Sequence, residues 1–223
     1  MDSIARIAII SDAICPWCYI GKRQLDRALP ILAGEGMQIS TMWLPYQLNP
    51  DMPIGGRPRA EYRARKFGSV ERGRELDARV TQAAAAVGLD FHMDRIQTTP
   101  NTLSAHRLAW FAYETDTAVQ DALVEAMFKA YFVDGRNIEE PEVLADCAAS
   151  AGMDHVTALA FLAGEEGRET VLTQDEAARR AGLNGVPTFV MNRHILFSGA
   201  VPAEQMVEAF RGAWKTLSSQ IAA

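Results

Sequence analysis

Two cysteines three residues apart, in Cys15-Pro16-Trp17-Cys18, are the side chains here best suited to covalent chemistry. An apolar run, Ile7-Ala8-Ile9-Ile10, precedes them, and a helical pattern from Tyr19 to Leu29 follows. Paired thiols where a strand turns into a helix are the layout of a thiol–disulfide redox centre. The first turn of a helix has unpaired N–H groups and a partial positive charge. A Cys15 thiolate there is the favoured anion, and each pKa unit of depression reflects about 1.4 kcal/mol of preference for the charged form. That makes Cys15 the expected attacking sulfur. Pro16 suits the first helical position, where a missing N–H costs nothing. Cys18 lies one turn on, on the same face, placed to close onto Cys15 and resolve a mixed disulfide. Trp17 offers a flat contact surface for an unfolded or peptide substrate. Half a zinc site, an inert thiol pair or a merely packing Trp fit the same four residues; the strand-then-helix context favours the redox reading.

The elements that must position this pair follow from the rest of the chain. Residues near 5–11 read as a buried strand. The helix after Cys15 runs to about Leu32, before Gly34-Glu35-Gly36, and Met37 to Leu44 alternates as a second strand. Strand, helix, strand at this spacing is a βαβ unit. The segment Leu44-Pro45-Tyr46-Gln47-Leu48-Asn49-Pro50-Asp51-Met52-Pro53 is too rich in proline to continue a sheet, and reads either as a linker or as a loop on the rim of a site. From about 59 to 181 the pattern is helical almost throughout, with breaks at Gly68, Gly88, Thr99-Pro100, Gly135, Gly152 and Gly182. This predicts an all-helical insertion rather than a second α/β domain. After it, Val186 to Asn192 and Ile195 to Phe197 form a β-hairpin, and Pro202 opens a last helix to about Leu217.

Composition narrows the functions. A chain of 223 residues with 48% apolar residues builds a sizeable core. A net charge of −6 argues against a nucleic-acid partner. No apolar run approaches a membrane span, and the first residues have no signal-peptide pattern, so a cytoplasmic protein without a membrane partner is expected. There a dithiol meets a reducing glutathione pool, and reductase, isomerase or sensor roles are favoured over net oxidation. The third cysteine, Cys147, shares a face with Val143, Leu144 and Ala151 and reads as a buried small hydrophobe. With His92, His106, His155 and His194 it shows no ligand spacing, so no metal is expected. His106, among Leu103, Trp110 and Tyr113, is a packing histidine or a cleft-lining one. The arginines between 57 and 79 stand among acids and read as a solvated helix surface or as a patch that steers an acidic partner, the first reading being favoured.

Pro187, in Gly185-Val186-Pro187-Thr188-Phe189-Val190, stands directly before a strand. A cis bond would turn the Val186 backbone toward the cysteines, where an extended substrate could add to it as a strand. An ordinary trans turn proline fits the residues equally well.

CPWC at a strand–helix junction and GVPTFV before a terminal hairpin and helix resemble the DsbA-like branch of the thioredoxin superfamily. CPWCYIGKRQL, YQLNP, AHRL and the closing SGA resemble its FrnE-like subgroup, which borders the 2-hydroxychromene-2-carboxylate isomerases and kappa-class glutathione transferases. The resemblance spans nearly the whole chain. It implies an α/β protein with a thioredoxin fold in residues 1–58 and 182–223, interrupted by a helical domain in 59–181. It makes Cys15 the nucleophile, Cys18 the resolving thiol and Pro187 a cis-proline. Pro16, Trp17, Val186 and Pro187 then contact the substrate. Family members often read SGAQ where Val201 follows Ala200 here, which removes a polar ligand contact; the second cysteine pair of some relatives is absent.

Three functions remain. The first is a thiol–disulfide oxidoreductase that reduces, forms or isomerises disulfides in proteins or peptides, with no bound cofactor and with glutathione as a possible co-substrate. The second is a glutathione-dependent isomerase or transferase on a small aromatic or polyketide-like substrate. The complete thiol pair counts against it, since relatives of that kind commonly carry Ser in place of the first Cys. The third is a peptide-binding, chaperone-like module using the cleft beside Pro187. Oligomeric state is not legible in the sequence.

Overall fold

The computed structural model describes residues 5–221. Strand β1 (Ala5–Ser11) leads into helix α1 (Pro16–Gly34), and β2 (Ile39–Pro45) returns parallel to β1, with Ile9 opposite Trp43. Near the other end, β5 (Thr188–Met191) and β6 (His194–Ser198) form an antiparallel hairpin, followed by α9 (Ala203–Ile221). The sheet runs β2-β1-β5-β6, so β1 and β5 are its central strands. Ile7, Ile9 and Phe189 on them are fully buried, which explains the near-continuous apolar runs.

Between these parts lie β3 (Arg57–Pro58), α2 (Arg59–Phe67), α3 (Val70–Ala85), β4 (Thr98–Thr99), α4 (Leu103–Thr115), α5 (Thr117–Phe132), α6 (Pro141–Ser150), α7 (His155–Ala163) and α8 (Arg168–Arg180). One apolar core runs without interruption from Ile7 and Ile9 through Tyr19 and Trp43 to Phe128, Phe132 and Leu144. Tyr19 of α1 stacks on Phe128 of α5 at 4.9 Å between ring centres. Gln120 of α5 covers the edge strand: its Oε1 accepts the Trp43 N–H at 2.8 Å and its Nε2 donates to the Trp43 carbonyl at 2.9 Å. That pairing satisfies an edge which would otherwise invite another chain.

Several boundaries depart from the sequence expectation. Helix α1 continues through Pro30 to Gly34. The β3–β4 pair, Arg57 against Thr99 and Pro58 against Thr98, was not expected, because two residues carry no periodicity. The helical stretch also breaks at Asp116, whose side chain caps α5 by accepting the Ala118 N–H, and again between Gly164 and Gly167. Pro202 precedes α9 rather than opening it; its carbonyl accepts the Met206 N–H.

Candidate active site

Cys15 occupies the N-cap of α1 with φ −91° and ψ 111°, and Pro16 follows at the start of the helix. The Cys15 N–H donates to the Asp12 carbonyl, and the Cys15 carbonyl accepts from the Cys18 N–H, both at 3.0 Å. No acidic side chain lies in the first turn, so the amide dipoles there face the sulfur without a competing carboxylate. The Cys15 thiol donates to the Val186 carbonyl at 3.5 Å, and the Val186–Pro187 peptide is cis. The structure thus brings together Cys15, Cys18 and the Val186-Pro187 turn from opposite ends of the chain.

Cys15 is only 4% exposed, with the Val186 carbonyl in contact with its sulfur. Trp17, at 43%, is the open part of the motif. Cys18 is fully buried. Burial, a hydrogen bond to Cys15 and the charge of a Cys15 thiolate push its pKa well above the ordinary thiol value, opposed by the Ser11 side chain and the Asp12 backbone. The two sulfurs are therefore unlike: one sits at the helix end beneath a carbonyl, the other is protonated in the interior. All three cysteines are free thiols. Cys147 is buried in α6, and burial raises its pKa to about 11, which suits an inert thiol.

The Pro187 turn is held from β6. The Gly199 N–H donates to the Pro187 carbonyl at 2.7 Å, Thr188 Oγ1 donates to the Gly185 carbonyl at 2.9 Å, and Ser198 Oγ meets Thr188 Oγ1 at 2.7 Å. The SGA segment thus acts through its Ser and Gly. On the other side α1 comes so close that a Cβ on Gly21 would stand 3.0 Å from Pro187 Cγ, so a glycine sets that approach.

The Tyr46-Gln47-Leu48 loop is tied down behind the cysteines. Asp175 accepts the Gln47 N–H at 2.8 Å, Arg179 bonds the Gln47 carbonyl, and Asp12 Oδ2 accepts the Leu48 N–H at 2.7 Å. Asp12 was not singled out from the sequence. Its one available signal is a charged residue at the end of an apolar strand. His106 proves to be buried and turned toward Asp12, with Nε2 3.4 Å from Oδ1. Of the arginines between 57 and 79, Arg59 and Arg63 converge on Asp77 at 3.1 and 2.7 Å, so part of that surface is internal bonding. Among the described residues no group of His, Cys, Asp and Glu could hold a metal ion, and no helix is long and apolar enough to cross a membrane.

Residues 6–211 match the DSBA-like thioredoxin domain. A probable DsbA oxidoreductase from Streptomyces coelicolor superposes with a TM-score of 0.83 at 31% identity, over 95% of this chain and 90% of that one. A 2-hydroxychromene-2-carboxylate isomerase shares the fold with a TM-score of 0.67 at 15% identity, over 97% and 98% of the two chains. The cytosolic disulfide reductase DsbM from Pseudomonas aeruginosa, solved with GSH, does so with a TM-score of 0.59 at 20% identity, over 98% and 100%. The chain belongs to the DSBA-like thioredoxin domain family, and its fold is the DsbA-like form of the thioredoxin fold, with a large helical content.

Proposed function

We propose that this family member is a thiol–disulfide oxidoreductase in which Cys15 attacks a protein or peptide disulfide and Cys18 resolves the product. The observation that carries the reading is the position of Cys15, at the N-cap of α1 with its sulfur on the carbonyl before Pro187 and Cys18 one turn beneath. Substrate approaches across Trp17 and Pro16 and replaces the Cys15–Val186 contact. Its extended backbone then runs along Val186 and Pro187, as in strand addition. The substrate disulfide gains two electrons, and the dithiol becomes a Cys15–Cys18 disulfide.

Glutathione is the co-substrate we assign to re-reduction, and the cytoplasm the compartment; a cytosolic reductase of the same fold solved with GSH supports both. A glutathione-dependent isomerase is the second reading, favoured by the shared fold of the chromene-carboxylate isomerase. The complete thiol pair weighs against it.

Insulin-disulfide reduction distinguishes the two. Cys15→Ser should lower the rate by about a thousandfold or more, as loss of a nucleophile does. Cys18→Ala should accumulate a mixed disulfide on Cys15, visible on a non-reducing gel. Full activity in Cys15→Ser would overturn the proposal, and glutathione-dependent turnover of an aromatic substrate by Cys18→Ala would establish the second reading in its place.

A further inference from the structure

The basic stretch between 57 and 79 divides in two once it is folded. Arg59 and Arg63 share Asp77, and Arg72 reaches Glu75 at 2.7 Å. Arg57, Arg65 and Lys66 instead line a cleft where β3 and α2 face the loop after β2, with Leu48 and Met52 as its apolar wall. Resting on the thiol–disulfide reading, we propose that this cleft binds acidic side chains of the polypeptide substrate, close in its chain to the cysteine under attack.

The cleft measures about 400 Å³, within the range of ligand-binding clefts. Its lining carries three cations against Asp51 alone, on a chain whose net charge is −6. Glu61 lies 3.7 Å from Arg57, and both ends of that pair are open to solvent. Among the described residues, neither Arg65 nor Lys66 has a carboxylate within ion-pair distance. Lys66 is nonetheless held. Its Nζ donates to Tyr62 Oη at 2.6 Å and to Asn49 Oδ1 at 3.4 Å, and Tyr62 Oη donates to Asn49 Oδ1 at 2.8 Å. Uncharged partners thus fix the ammonium without neutralising it, and less side-chain freedom is lost when an external carboxylate arrives.

The cleft adjoins the dithiol. Leu48, on its wall, donates its N–H to Asp12 Oδ2 at 2.7 Å, and the Asp12 carbonyl accepts the Cys15 N–H at 3.0 Å. Leu48 and Val186 also pack on the same small apolar cluster of Ile10, Tyr46, Ala178 and Leu183. A substrate strand laid along Val186, advancing about 3.3 Å per residue, therefore has the cleft within a few residues of its reacting cysteine. Opposite charges there speed encounter and fix the register in which the substrate lies. Basic segments meet uncompensated like charge and are turned away. The contact exists both before and during sulfur attack, so it strengthens binding and leaves the exchange step itself unchanged.

The test mixes the fully reduced protein with disulfide-linked peptides and follows release of peptide thiols by chromatography. The peptides carry Asp-Asp, Asn-Asn or Lys-Lys within about four residues of one cysteine. At low salt the second-order rate constant should be about tenfold higher for Asp-Asp than for Asn-Asn, and lowest for Lys-Lys. At high salt, where the screening length falls to about 3 Å, the three should converge. Arg65→Glu combined with Lys66→Glu should invert the order. Arg72→Glu, which changes charge outside the cleft, should keep the native order. Should the double variant melt at assay temperature, Arg65→Glu alone carries the comparison, since no hydrogen bond of that side chain is lost among the described residues. Glutathione disulfide is the reference substrate. An unchanged peptide order in the double variant, with slower reduction of glutathione disulfide alone, would assign the cleft to the co-substrate and overturn the proposal. Equal rates for the three peptides in the native protein would overturn it as well. Failure of the native protein to reduce any of them would instead overturn the proposed function.

Discussion

Lys22 and Asp12 are ionisable side chains sealed from water close to the dithiol in sequence, 3% and 0% exposed, and their surroundings are opposites. Lys22 Nζ meets Asp121 at 2.9 Å, Asp26 at 3.1 Å and Glu125 at 3.7 Å. The carboxylates are occupied in turn: Trp43 Nε1 donates to Asp121 at 2.8 Å, Tyr19 donates to Glu125 at 2.7 Å, and Arg23 bonds Glu125 and Asp26. Burial alone would push the Lys22 pKa down, but the three carboxylates outweigh it and hold the ammonium above its ordinary value. This cluster ties the second turn of α1 to α5 and β2. The Asp12–His106 pair, which joins the turn leading into the cysteines to α4, is left with two buried atoms unbonded. The first cluster is bonded throughout and stiffens the fold, whereas the second keeps unpaired polar atoms in the interior, a cost that the surrounding packing must carry.

Breaking the first cluster should be the larger insult to stability. Lys22→Met leaves Asp121, Asp26 and Glu125 without their common cation, and should cost about 1.5–3 kcal/mol of unfolding free energy by urea titration. Insulin-disulfide reduction should stay near the native rate. A collapse of that activity at unchanged stability would show that the cluster serves the reaction rather than the fold.

Acid should act on the same cluster, more gently. Burial raises the Glu125 pKa, but hydrogen bonds from Arg23 and Tyr19 and the charges of Arg23 and Lys22 together bring it below its ordinary 4.5. A carboxyl depressed in the folded state contributes stability that is complete above its unfolded pKa and is lost as pH falls through the folded one. The melting temperature should therefore decline below about pH 4.5, and decline less steeply in Glu125→Gln. Equal slopes in the two proteins would show that the cluster stores no such stability.

The smallest effect is expected at the other cluster. Asp12→Asn replaces an incompletely bonded buried carboxyl and retains an acceptor for Leu48, so stability should stay level or rise by up to about 1 kcal/mol. A loss larger than that of Lys22→Met would make Asp12 a structural ion and reverse the comparison.

Local pattern made much of this protein legible. The run before Cys15, the proline at the helix start and the amphipathic stretch after Cys18 announced β1 and α1, and glycines at 68, 88, 135, 152 and 182 marked real helix ends. The break at Asp116 had a readable signal, an Asp that caps the next helix, but apolar periodicity continuing across it hid the interruption. Trp17, Val186 and Pro187 were legible as neighbours of the cysteines. Asp12 and the bonding of Lys22 were not, since their partners, His106, Asp121 and Glu125, arrive from elements remote in sequence.

The order of residues by itself determined the strand–helix junction that presents two thiols on one helix face, because capping, proline geometry and 3.6-residue periodicity act over a single turn. Which thiol is covered by the Val186 carbonyl, which is sealed in the interior, and which buried polar atoms go without partners were decided only when β5, α4 and α5 closed around that helix. Burial and hydrogen bonding depend on what every other segment brings to the same place.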